Sequence, residues 1–419
     1  MKRIQLSHML GCAWLLVALG APALALANEK PLPVAQVQGA GMYTMSSTTI
    51  PGPRRYYVSL PERYDASNRR YSVLYVIDGD FQFEHVAAAV RSLARTGRIE
   101  PLIVVGVALN GEQEYQHYTT WTTDELPGSG GAPQLLQFLQ KDLLPRIQRQ
   151  YRTTGHQAIA GYSLGGLLVL QAALAKDSPF AAYYAMSPSL YLDNYALNSK
   201  LANAPLSGRF FLSVANEQGM GVSELAGMLK PSSERFSWQF QQFAHDTHYS
   251  TALPAITAAL QWDFANYSLE MADLLALGDE RAVLKALSGK LQHWSQPQLG
   301  WLQAWNLAKY YVVSKQMDHL EQSLAMWEQA WPGSSLELRV QLVKACLKKQ
   351  LLDTAQALVD TAPVALEQSH DWQKQRADLF AAKGDMVAAK SAQKKAEQLA
   401  REQHLAEWEF QELAPGSYQ

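Results

Sequence analysis

The stretch Gly161-Tyr162-Ser163-Leu164-Gly165-Gly166 decides how this chain is read. Before it, Gln157 to Ala160 reads as the end of a strand; after it, Leu164 to Leu174 reads as an apolar helix. A serine between two such elements sits at a sharp, strained turn that lifts its hydroxyl above the sheet. The small flanking residues let strand and helix pack closely beneath it. G-x-S-x-G in a strand-turn-helix setting is the spacing of a nucleophile elbow, so Ser163 is the candidate nucleophile.

Working outward, Arg54 to Leu60, Tyr71 to Ile77 and Leu102 to Val107 read as strands upstream, with a helix over Phe83 to Leu93. The continuous β-branched run at Leu102 is of the kind buried on both faces. Gln134 to Tyr151 is amphipathic and helical. Phe180 to Met186, Arg209 to Asn216 and Phe236 to Phe243 are strands downstream, and Pro254 opens a helix running to about Phe264. Strands alternating with helices predict an α/β fold with a mainly parallel sheet. From Asn28 to about Ser47 nothing is strongly periodic. Between Asn110 and Pro133 the chain loosens into Gly-rich, aromatic sequence with Tyr115, His117, Tyr118 and Trp121, either a binding loop or an excursion packed by its own aromatics.

A serine hydroxyl is a weak nucleophile until a base takes its proton. His245 and His248 are the histidines between Ser163 and the helical C-terminal region; His85, His117 and His156 precede the serine and read as ordinary surface or core residues. His248 follows a strand and precedes the last helix of this part, the position a triad histidine needs, and His245 is the alternative. The acid belongs at a strand end between the two: Glu217 closes Arg209 to Asn216, with Glu224 and Asp246 as alternatives. For the oxyanion, the backbone N–H of Leu164 is one donor, and Asp80 or Phe81, after the strand ending at Ile77, supplies the other. The His245-Asp246-Thr247-His248 run could be read as metal ligands, but no second His or Cys cluster completes a site. No phosphate-loop or dinucleotide pattern occurs, so no cofactor is expected.

At 419 residues, 48% hydrophobic and 18% charged, the chain has room for two domains, and a net charge of −2 suggests neither nucleic acid nor a polybasic membrane role. Lys2 and Arg3 precede the apolar stretch Met9 to Leu19, and Ala25-Leu26-Ala27 offers a cleavage signal before Asn28. Residues 1–27 are therefore read as a signal peptide and the protein as exported, periplasmic or secreted, with no membrane span. Cys12 is poorly placed for lipidation, and the mature chain keeps only Cys346, so no intramolecular disulfide is expected.

Past about Tyr267 the composition shifts to helix-favouring Ala, Leu, Gln, Lys and Glu. Ser314-Lys315-Gln316-Met317, Lys348-Lys349-Gln350-Leu351 and Ala382-Lys383-Gly384-Asp385 recur at about 34 residues, the period of tetratricopeptide helix pairs. Each follows an amphipathic helix (Trp301 to Val313, Leu336 to Leu347, Trp372 to Ala381), and Ala355 and Ala389 sit where paired helices would approach. The first unit has Leu320 or Glu321 there, so the repeat is degenerate, and an irregular helical bundle is the other reading. The expected domains are 28–267 and a helical-repeat domain over 268–419.

Tyr71 to Asp80, Gly161 to Gly166, Met186-Ser187-Pro188-Ser189-Leu190 and Asp246-Thr247-His248 together resemble the esterase D-like esterases. That α/β-hydrolase family includes siderophore esterases, feruloyl and acetyl-xylan esterases, S-formylglutathione hydrolases and mycolyltransferases. The resemblance spans about Thr44 to Phe264 and implies an α/β-hydrolase fold, with Ser163 as nucleophile, His248 as base and, less firmly, Glu217 as acid. Asp78-Gly79-Asp80 and Ser187 to Leu190 look closest to the siderophore-esterase branch. Tyr191 stands where that branch usually has Trp, and the simple siderophore esterases lack the helical region. The expectation is an exported serine esterase acting on a small-molecule ester, siderophore-type or aromatic. The helical region would hold a partner protein, a second subunit or a lid. The alternatives are an acyltransferase on the same fold and a binding module on an inactive hydrolase platform.

Overall fold

Strand β3 (Tyr71–Ile77) is buried at every residue, as is β4 (Ile103–Val107), so these two β-branched runs form the middle of a sheet covered on both faces. The computed structural model describes residues 40–265, 267–290 and 298–413; the expected signal peptide and its cleavage site lie outside them. The remaining strands are β1 (Gly41–Ser46), β2 (Pro53–Ser59), β5 (Thr153–Tyr162), β6 (Ala182–Met186), β7 (Gly208–Ala215) and β8 (Phe236–Phe243). They form one sheet in the order β1-β2-β4-β3-β5-β6-β7-β8. Among the described residues only the β1–β2 and β2–β4 pairings are antiparallel; the pairings from β4 through β8 are parallel. This mostly parallel sheet with helices on both faces is an α/β-hydrolase-like fold. β1 forms from a stretch that shows no strand periodicity in sequence.

On one face lie α1 (Gly79–Arg95) and, further along the chain, α8 (Ala252–Asp263). On the other are α2 (Glu112–Thr119), α3 (Ala132–Phe138) and α4 (Leu144–Gln150) joined by a π-helical turn, α5 (Leu164–Leu174), α6 (Leu192–Asn203) and α7 (Val222–Met228). The Asn110 to Pro133 segment is thus partly helical, and its aromatics tie it down: Trp121 Nε1–H and the Thr123 hydroxyl both donate to Asp193.

The C-terminal part is helical as expected: α9 (Met271–Leu277), α10 (Glu280–Lys290), α11 (Trp301–Val313), α12 (Leu320–Ala330), α13 (Ser334–Lys348), α14 (Leu352–Asp360), α15 (His370–Ala382), α16 (Met386–Glu402) and α17 (Glu407–Glu412). Lys315, Gln350 and Gly384 all have positive φ (58°, 57° and 83°) in the turns after α11, α13 and α15. Ala355 and Ala389 are buried. One apolar core continues from Leu74 and Val76 through α1 and α8 to Trp327, Trp372 and Leu379.

The ties between the sheet part and these helices are specific. Arg63 pairs with Asp371 at 2.7 Å and with Glu409; Arg69 Nε donates to Gln298 at 2.9 Å; Ser268 donates to the Gly97 carbonyl at 2.9 Å. A Cβ on Gly97 would meet Leu302. All of these hydrolase-side residues lie before β3 or after α1, at the end of the sheet where the parallel strands begin. Ser163 follows the opposite end of β5. These helices therefore brace the sheet from the far end, and the lid expectation is corrected.

Candidate active site

Ser163 stands between β5 and α5 with φ 57° and ψ −120°, a left-handed conformation that costs about 1–3 kcal/mol for a residue with a side chain. The strain is held in place by its surroundings. The Ser163 N–H donates to the Met186 carbonyl at 2.9 Å, and its carbonyl accepts from Leu167 and Ser189. A Cβ on Gly161 would come within 2.2 Å of the Gly165 carbonyl oxygen, and one on Gly166 within 3.2 Å of Pro188, so the glycines permit the close approach that the turn needs.

Three elements deliver the groups around the hydroxyl. His248, in the turn between β8 and α8, places Nε2 3.1 Å from Ser163 Oγ. Its Nδ1 is 2.8 Å from the Glu217 carboxylate, which follows β7. With Nδ1–H donating to Glu217, Nε2 is left as acceptor for the serine proton. The Tyr162 ring lies against the imidazole (centroids 4.9 Å), and its hydroxyl donates to the His248 carbonyl. Ser189, buried in the Ser187 to Leu190 segment, puts its hydroxyl 3.2 Å from Ser163 Oγ.

The alternatives fall elsewhere. Asp246 accepts from the Ser250 hydroxyl at 2.8 Å, which shapes the turn carrying His248. Glu224 is exposed in the first turn of α7, and His245 is exposed just beyond β8; neither bonds to Ser163 or His248. Among the described residues no group of three or more His, Cys, Asp or Glu is arranged to hold a metal ion, and no helix is long and apolar enough to cross a membrane.

At the oxyanion side the structure separates the two expected donors. The Phe81 N–H bonds to the Asp78 carbonyl at 3.1 Å, so its backbone is engaged and its ring is exposed. The Asp80 N–H, in the first turn of α1, has no intrahelical acceptor. The Asp80 carboxylate accepts from Tyr57 at 2.7 Å and from the Leu109 N–H at 3.0 Å and pairs with Arg55, clamping this turn onto β2 and the end of β4. Asp78, left-handed at φ 58°, caps the turn; burial and the neighbouring Asp80 push its carboxyl up to about 6. The phenol oxygen of Tyr115 accepts from the Gly165 N–H at 3.2 Å and donates to the Tyr162 carbonyl at 3.1 Å, one on each side of Ser163 and Leu164. In sequence Tyr115 is one aromatic in a loose segment, and nothing in its spacing marks it as a neighbour of the elbow.

A family model described as "Putative esterase" matches residues 47–274, more than half of the chain. The chain belongs to this esterase family. Among characterised relatives, the esterase-family chain is 28% identical over 227 residues to ferri-bacillibactin esterase BesA of Bacillus subtilis, covering 46% of this chain and 78% of that protein. It is 25% identical over 135 residues to a siderophore triacetylfusarinine C esterase of Aspergillus fumigatus, covering 30% and 46%. Its fold resembles an IroE-like serine hydrolase of Shewanella oneidensis (22% identity, TM-score 0.56, 69% of this chain and 99% of that one). It also resembles an uncharacterised protein of Capnocytophaga ochracea (19% identity, TM-score 0.56, 77% and 94%). These shares exceed what the sheet part alone can supply, so the likeness of fold extends into the C-terminal helices.

Proposed function

We propose that this esterase-family protein is an exported serine esterase that works through an acyl-enzyme. The observation that carries the reading is the unbroken run of hydrogen bonds from Ser163 Oγ to His248 and on to Glu217, at the tip of a strained elbow. Ser163 attacks the ester carbonyl as its proton passes to His248 Nε2. Glu217 fixes the imidazole tautomer and stabilises the imidazolium, which then protonates the departing alcohol. Water, activated by the same imidazole, releases the acid and restores the serine. Leu164 and Asp80 supply backbone donors to the oxyanion, each worth about 3 kcal/mol in comparable sites.

The substrate class we assign is a siderophore-type or aromatic ester. The names of the two relatives above support it, as do the exposed rings of Tyr249 next to His248, Phe81 next to Asp80, and Tyr191 after the Ser187 to Leu190 segment. Residues 1–27 act as the export signal, with an esterase domain over 28–267. The helical part, 268–419, is read as degenerate tetratricopeptide-like pairs offering a surface for a partner protein or a second copy; the regularly spaced left-handed turns support this.

The test is labelling of the purified mature protein by a fluorophosphonate probe beside Ser163→Ala. Turnover of ferric and iron-free siderophore esters and of aromatic esters is then followed, with and without acceptor alcohols. Ser163-dependent labelling and release of free acid are expected. New esters formed from the acceptors would replace hydrolysis by acyl transfer, and a folded protein that neither labels nor turns over would leave only the binding-module reading.

A further inference from the structure

The Tyr115 hydroxyl reaches the elbow from outside the motif. Tyr115 is on α2, which packs beside α5, and its phenol oxygen bonds to the elbow on both sides of the nucleophile. It donates to the Tyr162 carbonyl at 3.1 Å and accepts from the Gly165 N–H at 3.2 Å. These two bonds bracket Ser163 and Leu164 in the chain. A hydroxyl bonded to the residue before the nucleophile and to the second residue after it lies beside the place where the carbonyl oxygen of a bound ester becomes negative.

We propose that Tyr115 is a catalytic residue whose hydroxyl donates a third hydrogen bond to the oxyanion; this rests on the esterase reading above. The Gly165 N–H occupies a lone pair of the phenol and so strengthens its O–H as a donor. The O–H itself can swing from the Tyr162 carbonyl to the oxyanion with no movement of the ring. In the step itself, the Ser163 Oγ to carbon bond forms, the serine proton moves to His248 Nε2, and the carbonyl π pair moves onto oxygen. That oxygen then accepts from Leu164 N–H, Asp80 N–H and Tyr115 O–H. Collapse re-forms the carbonyl and expels the alcohol with the proton from His248. Tyr115 keeps its proton throughout. Burial and the nearby Asp78 push the phenol up to about 12, well away from working pH, so the donor is not lost by ionisation.

A merely structural tyrosine would also bridge residues 162 to 165, so the test separates the two roles. Wild type, Ser163→Ala and Tyr115→Phe are compared on one short ester, with melting temperatures measured alongside. With Ser163→Ala silent, Tyr115→Phe is expected to lower kcat on the order of 100-fold with KM little changed, and to slow fluorophosphonate labelling in parallel. Replacing Tyr115 by 3,5-difluorotyrosine keeps the shape but makes the phenol more acidic. Turnover should then gain an alkaline limb at the fluorophenol pKa, without loss of melting temperature. Tyr115→Phe with kcat within about threefold of wild type, or a fluorinated enzyme with an unchanged pH profile, overturns the proposal and leaves the esterase reading intact. Absence of any Ser163-dependent turnover in wild type overturns both.

Discussion

At the residue scale, the strain at Ser163 and the hydrogen bonds that hold it are one device. A serine at φ 57° persists because Met186, Leu167 and Ser189 fix its backbone on three sides, and the reward is a hydroxyl within 3.1 Å of His248 Nε2. From sequence Glu217 is the favoured acid because it closes a strand, and Glu224 and Asp246 stay open because they lie in the same part of the chain. Only the fold shows which carboxylate reaches Nδ1. Glu217→Gln keeps the shape and removes the charge; kcat is expected to fall by about 10²–10⁴, with the melting temperature nearly unchanged. Asp246→Asn and Glu224→Gln should stay within about threefold in kcat/KM, since neither carboxylate reaches the imidazole. Steady-state kinetics on the four proteins checks both statements; equal losses at Glu217 and Asp246 would contradict the assignment.

At the element scale, the strands and helices that carry strong period-2 or continuous apolar signals were legible. β3, α5 and α11 have the bounds that their residues suggest because each is decided by burial of its own side chains; β8 also keeps its bounds, although only Phe236 in it is buried. β1 and α2 were not legible. β1 is an edge strand with Met42 and Tyr43 exposed, and α2 is short and mainly polar, so both are fixed by the partners they dock on. The connection from α1 to β4 offers a pH test. Glu100 accepts from the Ser72 hydroxyl at 2.6 Å, yet burial outweighs this bond and the pull of Arg69 and pushes its carboxyl up to about 7. A carboxyl raised in the folded state binds more protons there than when unfolded. Its contribution to stability is therefore full below the ordinary glutamate range and is lost as pH rises to about 7. Glu100→Gln should accordingly gain melting temperature over wild type between pH 5 and pH 8, the gap widening through that window; a constant gap would mean that Glu100 does not titrate in this range.

At the scale of the whole molecule, the change of composition past Tyr267 correctly announced helices. It carried no information about which end of the sheet they would meet. That depends on Arg63, Arg69 and Gly97, which look like ordinary loop residues in sequence. Because these contacts lie at the end of the sheet away from Ser163, stability and catalysis should separate. Arg63→Ala leaves the Glu409 and Asp371 carboxylates without their guanidinium, a cost of about 1–3 kcal/mol for a partly exposed pair. The melting temperature should drop by several degrees while Ser163-dependent kcat/KM stays within about twofold of wild type. A large loss of turnover at a temperature where the variant is folded would show that the helices act on the site after all.

If the serine carries the chemistry, Ser163 becomes acylated in every turnover, and that species can be trapped. Wild-type protein is mixed with an excess of a p-nitrophenyl ester, quenched in acid within the first turnovers, digested and mapped by mass spectrometry. An acyl group on the peptide that contains Gly161 to Gly166, located on Ser163 and absent from Ser163→Ala, is the predicted result. Turnover that persists in Ser163→Ala, or an acyl group carried by any other residue, would contradict it.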